Sequence, residues 1–171
     1  HVCDEDGLEL AVGETGLVYF SEGPEFTYHN DPERTAQTRN SLGWSTLGDI
    51  GKVDHQGYLT LVDRRAFMII SGGVNIYPQE IEAILIGHPA VADVAVIGVP
   101  SEDFGEDVKA VVQLLAETDA GPALVAELLA YCKAHLAGYK CPKSIDFDPA
   151  LPRHPTGKLY KQLVRARYWP S

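Results

Sequence analysis

The sequence predicts an α+β protein in which helices pack on a small mixed sheet, preceded by a short β-rich segment. Two observations lead to this fold class. Strand-like runs and amphipathic helical patterns alternate from about residue 66 onward, as expected for helices layered on one sheet. The first 65 residues instead carry short strand-like runs between glycine turns.

Two strands are predicted in the N-terminal segment, at residues 16–20 (GLVYF) and 57–62 (GYLTLV). Each run is bounded by glycine, which is a typical strand boundary. Residues 13–16 (GETG) have the composition of a hairpin-type connection. We therefore expect the front of the chain to be mainly β-structure.

A two-stranded ribbon is predicted next. Residues 67–70 (FMII) form a strand-like run, and residues 74–78 (VNIYP) form a second one. Between them, residues 71–73 (SGG) have the composition of a tight turn. The two runs are therefore expected to pair.

Two helices are predicted from apolar spacing and end signals. The first begins at Pro78, since proline suits the first helical position, and ends near Gly87. The second is predicted within residues 121–138, with Gly138 just past its end. Apolar residues at helical spacing give each helix a core-facing stripe. These residues are Ile81, Ile84 and Leu85 in the first helix, and Leu124, Val125, Leu128, Leu129, Cys132 and Leu136 in the second.

Three further strands complete the predicted sheet. Residues 91–99 and 108–115 are rich in β-branched side chains and are separated by a polar loop at 100–107, so we expect them to be neighbours. Residues 144–147 (SIDF) form one more short strand. A basic helix is expected near the C-terminus, at residues 158–169.

The composition is that of a globular protein. Hydrophobic residues make up 45% of the 171 residues and charged residues 22%. No run approaches the roughly 18 apolar residues of a membrane span, and the opening stretch lacks the pattern of a signal peptide. Three cysteines without CxxC spacing and six histidines without HxxH spacing predict no disulfide framework and no metal site. We expect Cys132 to be a core residue and the protein to be cytoplasmic.

Charge is distributed unevenly along the chain. The net charge of −10 disfavours a nucleic-acid surface. The segment from residue 140 onward nonetheless nets about +5. A basic tail on an acidic body suits a small anionic ligand such as a nucleotide, although a solvated helix face is an equally good interpretation. The basic residues are Lys140, Lys143, Arg153, Lys158, Lys161, Arg165 and Arg167.

Three motifs carry a resemblance to a known family. The first combines residues 43–49 (GWSTLGD), 57–59 (GYL) and 63–64 (DR). The second is residues 68–82 (MIISGGVNIYPQEIE), and the third is residues 152–158 (PRHPTGK). In this order, the motifs resemble the C-terminal portion of the adenylate-forming enzymes, and of acyl-CoA ligases of the fatty-acid type in particular.

The resemblance implies a domain organisation and a reaction. Residues 1–65 would end a large N-terminal domain, and residues 66–171 would form a mobile C-terminal domain with Ala66 at the hinge, where the family usually has Asp or Lys. In such enzymes a carboxylate attacks ATP, pyrophosphate leaves, and a thiol then attacks the acyl-adenylate. ATP, CoA and a small carboxylic acid are the implied substrates, and Mg²⁺ the implied metal, with its ligand upstream of these residues.

The resemblance also assigns roles to individual residues. Asp49 would accept hydrogen bonds from both ribose hydroxyls of ATP or AMP, since one carboxylate has two acceptor oxygens. Arg64 would add a second ribose contact. Lys158 would be the catalytic cation that stabilises charge on the α-phosphate during adenylation.

Residues 71–73 are implied to line the passage for the thiol arm of CoA. Ser71, Gly72 and Gly73 together form a sequence that is more typical of CoA ligases than of amino-acid-activating domains. Two glycines remove side chains where a backbone must approach another group, although a tight turn alone would also explain them.

Two family motifs do not occur in these 171 residues: the Ser/Thr/Gly-rich loop that binds the β- and γ-phosphates, and the glutamate motif that holds magnesium. We therefore expect the chain alone to be inactive and the missing N-terminal domain to be its partner. The activated acid cannot be read from the sequence. Two alternatives remain open: an aryl-acid or amino-acid adenylating domain acting with a carrier protein, and a binding module without chemistry.

Overall fold

The computed structural model describes residues 1–23, 26–116 and 118–169. The chain divides into two units, residues 1–66 (unit 1) and residues 67–171 (unit 2). Unit 1 carries a four-stranded sheet and unit 2 a five-stranded sheet with helices packed on it. The predicted α+β class is confirmed.

Unit 1 is built on an antiparallel sheet with strand order β1-β2-β3-β4. Both strands predicted here are present, although β2 ends two residues early and β4 starts and ends two residues late. The strands are β1 (Val2–Cys3), β2 (Gly16–Val18), β3 (Asp49–Val53) and β4 (Leu59–Arg64).

Three elements of unit 1 were not predicted. Helix α1 (Pro32–Gln37) has only six residues, too few for an apolar period to appear. Its start is nevertheless defined by sequence, because Asp31 Oδ1 accepts a hydrogen bond from Arg34 N at 3.0 Å and proline follows the cap. Strand β1 has two residues, and β3 contains a glycine and two charged residues.

The sheet of unit 2 is mixed, as predicted. Its central strand β8 pairs with β7 along its whole length, with β5 at its first residue, and with β9 in parallel over its later half. The 3₁₀ turn at Arg65–Phe67 replaces the predicted start of β5, and β7 and β8 extend into the predicted loop between them. The strands are β5 (Ile69–Ser71), β6 (Val74–Ile76), β7 (Val91–Ser101), β8 (Gly105–Leu114) and β9 (Ser144–Phe147).

Three helices accompany this sheet: α2 (Pro78–Leu85), α3 (Pro122–His135) and α4 (Lys161–Ala166). Successive residues of β7 point to opposite faces. Val94 and Val96 join the core beneath α2 and α3, while Ala95 and Ile97 join a second core that includes Val164 of α4. Both faces of β7 are covered, which explains its uninterrupted apolar run from Val94 to Val99.

The predicted stripe of α3 faces the larger core. Leu128 and Cys132 are fully buried, and the other four residues of the stripe pack against that core. Burial raises the pKa of the Cys132 thiol to about 11, so the interpretation of Cys132 as a core residue is confirmed. All three cysteines are free and buried. In the ranges that the structure describes, no helix combines the length and apolarity needed to cross a membrane.

Candidate active site

Asp49 and Arg64 lie opposite each other on β3 and β4 of unit 1. The Arg64 guanidinium donates through Nε to Asp49 Oδ1 at 3.0 Å. The Asp49 side chain is 23% exposed and that of Arg64 is 57% exposed. Among the described residues, Oδ2 of Asp49 therefore remains available as an acceptor beside a cation that faces solvent, an arrangement suited to a hydroxyl donor.

The approach to Asp49 is shaped by the preceding residues. Gly48 has a φ of +82°, a conformation that favours glycine, and its N–H donates to the buried Thr46 Oγ1 at 3.0 Å. Gly48 lines a cavity of about 410 Å³ within unit 1, together with Arg34, Arg65 and Ala66. The sequence did not predict Arg34 or Arg65 as site residues, although Arg65 directly follows the DR motif. Ala66 is exposed.

The Ser71–Gly73 segment forms the end of the β5–β6 hairpin in unit 2. Gly72 and Gly73 have φ values of +57° and +79°, as in the tight turns that suit a two-residue hairpin. Gly72 N donates to Phe104 O at 2.9 Å. A Cβ on Gly72 would lie 3.1 Å from the Phe104 ring, so the turn has little room for a side chain at this position.

Lys158 lies in a tight hairpin formed by residues 153–159. His154 N donates to Lys158 O at 2.8 Å, and Gly157 N donates to His154 O at 2.8 Å. Pro155 occupies the second position of the turn, and Gly157 has a φ of +84°, which is the pattern of a three-residue hairpin loop. The backbone of Lys158 is therefore held locally, and its side chain is exposed.

This hairpin is anchored to the rest of unit 2 by contacts that sequence analysis missed. The Arg153 guanidinium pairs with the Asp93 carboxylate on β7 and also donates to Gly157 O at 2.5 Å. The rings of His154 and Tyr160 stack with centroids 4.0 Å apart. Arg153 thus connects one arm of the hairpin, its turn and the sheet.

A buried ion pair holds the chain just after the hairpin. Lys161 Nζ lies 2.8 Å from Glu82 Oε1, and the two side chains are 9% and 17% exposed. The same Glu82 oxygen accepts from Val96 N at 2.7 Å. Lys161 Nζ also lies 5.2 Å from the Phe67 ring. Lys158 is therefore positioned by two ionic anchors, at Arg153 and at Lys161.

The basic tail is mostly paired within unit 2. The two exceptions are Lys143, whose Nζ lies 5.8 Å from the Phe104 ring, and Lys158. Neither has a carboxylate partner in residues 1–23, 26–116 and 118–169. The paired residues are Lys140 with Glu80, Arg153 with Asp93, Lys161 with Glu82, Arg165 with Glu106 and Arg167 with Asp148.

This pairing bears on the two interpretations of the basic tail. Most of its cations neutralise carboxylates, so the tail is more than a solvated helix face. Lys158 is left as an exposed cation on a restrained loop, available to an external anion. Among the described residues, no group of three or more His, Cys, Asp and Glu side chains is arranged to hold a metal ion.

Comparisons with known proteins agree with the resemblance. Residues 80–158 match the AMP-binding enzyme C-terminal domain. The chain is 43% identical over 167 residues to the long-chain-fatty-acid–CoA ligase FadD13 of Mycobacterium tuberculosis, covering 98% of this chain and 32% of that relative. It is 46% identical over 164 residues to feruloyl-CoA synthase of an Amycolatopsis species, covering 95% and 32% respectively.

Solved structures give the same result. The crystal structure of ATP-bound MatB from Rhodopseudomonas palustris matches with a TM-score of 0.86 and 37% identity, covering 98% of this chain and 33% of that one. Residues 80–158 carry the AMP-binding enzyme C-terminal domain, and nearly the whole chain is similar to adenylate-forming enzymes. It spans about a third of the length of the curated relatives it matches.

Proposed function

We propose that this chain is the C-terminal part of an ATP-dependent acyl-CoA ligase. The complete enzyme would activate a carboxylic acid as acyl-AMP, releasing pyrophosphate, and then transfer the acyl group to CoA with release of AMP. It would thus be an AMP-forming acid–thiol ligase. Two relatives named for CoA thioester formation support this proposal, as does the Ser71–Gly73 turn.

The observation that carries the proposal is the state of Lys158. Its side chain is exposed, its backbone is fixed by a hairpin, and it has no carboxylate partner in the described residues. A cation kept free of internal partners is suited to stabilising negative charge on an α-phosphate and an attacking carboxylate. Neighbouring Arg153 and Lys161 are paired, so that role falls to Lys158.

The remaining predicted site residues have separate proposed roles. Asp49, aided by Arg64, would bind the ribose of ATP and AMP. Ser71, Gly72 and Gly73 would line the route of the CoA thiol. Unit 1 would end the large domain, and unit 2 would move about Ala66 between the two half-reactions. Alanine at that position leaves the backbone free to turn and offers no side-chain hydrogen bond to hold either orientation.

The described residues carry no donor set for Mg²⁺, so its ligands are proposed to lie in the upstream domain. Mg²⁺ would neutralise phosphate charge when bound with ATP. Lys158 would act on a different group, the α-phosphate. The free, buried cysteines fit the proposed location in the cytoplasm, where thiols stay reduced.

We propose a fatty acid as the acid that is activated, because FadD13 is similar over nearly the whole chain. The similarity to feruloyl-CoA synthase makes an aromatic acid the competing substrate. Pyrophosphate release by the complete ligase with a series of fatty acids and with ferulic acid distinguishes the two. A preference for ferulic acid would contradict the fatty-acid assignment and leave the reaction class intact.

The two half-reactions test the role of Lys158. In the complete ligase, Lys158→Ala is expected to slow pyrophosphate release by at least ~10²-fold, the usual scale for removing a fixed charge from a transition state. Conversion of supplied acyl-adenylate to the CoA thioester is expected to persist. Lys133→Ala, which removes another exposed lysine on α3, serves as the matched control. An adenylation rate for Lys158→Ala within a few-fold of wild type would remove Lys158 from the mechanism.

A further inference from the structure

Glu106 links two elements of unit 2. These are the β5–β6 hairpin, which carries the Gly72–Gly73 turn, and the C-terminal helix α4. Glu106 Oε2 accepts a hydrogen bond from Ile70 N on β5 at 3.0 Å. Its Oε1 accepts from Arg165 on α4 at 2.9 Å. The Glu106 side chain is 16% exposed. One carboxylate thus holds two elements that are far apart in sequence, and neither contact was predicted.

The contact to Ile70 compensates for a short strand pairing. Strands β5 and β8 pair only at Ser71 and Gly105, so the β5 residue before Ser71 has no strand partner on β8. Glu106 supplies the missing acceptor from its side chain. The polar contacts that orient the β5–β6 hairpin against the sheet are therefore one backbone pair, the hydrogen bond from Gly72 N to Phe104 O, and one carboxylate.

The surroundings of Glu106 are built to hold it in one position. A Cβ on Gly98 would lie 2.6 Å from Glu106 Oε2, so glycine on β7 is what makes space for the carboxylate. Trp169 Nε1 donates to Gly98 O at 2.9 Å. The Arg165 guanidinium lies 4.1 Å from the centre of the Trp169 ring, which holds the cation that pairs with Glu106.

We propose that Glu106 is a positioning residue for thioester formation. By fixing Ile70 directly before Ser71, it sets the position of the Gly72–Gly73 turn in the passage of the CoA thiol. This inference rests on the proposed function of the turn. Adenylation is expected to depend little on Glu106, because Lys158 is held by its own hairpin and by Arg153. The Lys161–Glu82 ion pair still holds α4 when the contact to Arg165 is lost.

The first test is amide hydrogen exchange in the 171-residue chain. Glu106→Ala is expected to raise the exchange rate of the Ile70 amide about tenfold, as for the loss of one hydrogen bond that limits local opening. Glu106→Gln keeps an acceptor oxygen and is expected to stay close to wild type. Asp119→Ala, which removes an exposed carboxylate in the loop before α3, is the control. Unchanged exchange at Ile70 in Glu106→Ala would overturn the proposal.

The second test measures both half-reactions in the complete ligase. Glu106→Ala is expected to slow conversion of supplied acyl-adenylate to thioester by about tenfold or more, the scale of a small misplacement at a reacting centre. Adenylation is expected to change by less than about twofold, and Glu106→Gln should restore most of the thioester rate. Equal losses in both half-reactions, with a lower unfolding midpoint, would mean a merely structural role and overturn the proposal.

The two proposals can fail separately. If the wild-type ligase forms adenylate and thioester and Glu106→Ala does so at the wild-type rate, the positioning role is wrong and the proposed function stands. If the wild-type ligase forms no thioester from any supplied acyl-adenylate, the proposed function is wrong, and the positioning role falls with it. The exchange rate of the Ile70 amide then still reports whether Glu106 holds the hairpin.

Discussion

The ammonium group of Lys161 and the carboxylate of Glu82 form an ion pair at 2.8 Å between α4 and α2. Both side chains are largely removed from water, and the same carboxylate oxygen satisfies Val96 N at the edge of β7. Removing the Lys161 ammonium would leave the Glu82 carboxylate largely desolvated and without this cation. Such losses are costly, because the attraction had offset the cost of burying both charges.

Lys161→Met is therefore expected to destabilise unit 2 by roughly 3 kcal/mol, the lower end of the range for breaking a buried pair. Methionine keeps most of the side-chain volume, so lost packing contributes little. Urea unfolding of the 171-residue chain, followed by a probe of unit 2, measures the change. Lys133→Met on the exposed face of α3 is the control and should lie within about 0.5 kcal/mol of wild type.

A double variant checks the cause. If the cost comes from the uncompensated Glu82 carboxylate, adding Glu82→Gln to Lys161→Met should recover part of the lost stability. Additive losses in the double variant would mean that the two side chains do not act as a pair.

Gly72→Leu is expected to lower the rate of thioester formation from supplied acyl-adenylate by at least ~10-fold, with pyrophosphate release little changed. The φ of +57° disfavours any side chain, and a Cβ would press on Phe104 at 3.1 Å. Gly57→Leu is the matched control, because Gly57 has a φ of +85° with nothing within 4 Å of its Cβ position. Similar losses in both half-reactions for Gly72→Leu would point to misfolding.

Much of unit 2 could be predicted because its signals are local. Pro78 defines a helix start, the glycine pair defines a hairpin, and the stripe of α3 requires one buried face. Unit 1 was harder to predict, since β1 has two residues and β3 interrupts its apolar residues with Gly51 and Lys52. Short strands gain their stability from neighbours, which a linear pattern does not reveal.

Some residues of the candidate site could be predicted from the sequence and others could not. Asp49, Arg64 and Lys158 were predicted from motifs, and their roles in ATP chemistry stay predictions. The residues that hold the site could not be found, because an ion pair depends on where the chain folds back. In the sequence, Glu106 belongs to the predicted polar loop and Lys161 to the basic tail. Only the tertiary structure brings them to Arg165 and Glu82.

The 171-residue chain alone is predicted to form no acyl-adenylate. The phosphate-binding loop and the acid pocket that the family resemblance implies are not among its residues. Purified chain incubated with ATP and a fatty or aromatic acid should release pyrophosphate at the background rate of the Lys158→Ala variant. Turnover well above that background would contradict the assignment of these functions to an upstream domain.

Acid should weaken unit 2 partly through Asp146. Burial acts to raise the pKa of this carboxyl group, but hydrogen bonds from Lys109 and Tyr168 outweigh it and lower the pKa. The resulting stabilisation is complete above the ordinary aspartate pKa of about 3.9 and is lost as pH falls through the lowered value. The urea midpoint should therefore fall less between about pH 5 and about pH 2 in Asp146→Asn than in wild type.

The control for this pH dependence is Asp119→Asn, which alters an exposed carboxylate before α3. The urea midpoint of Asp119→Asn should change with pH in the same way as that of wild type. The Asp146 contribution would be refuted by an Asp146→Asn curve that runs parallel to wild type over the whole acid range.

The parallel pairing of β9 with β8 affects the order in which unit 2 can assemble during synthesis. Strands β7 and β8 are made first and can pair at once, whereas Ser144–Phe147 emerges only after α3. Until then, the later half of β8 is an open sheet edge, and open edges recruit other chains. Lys109 lies on that stretch, and a lysine on an open sheet edge disfavours pairing with other chains.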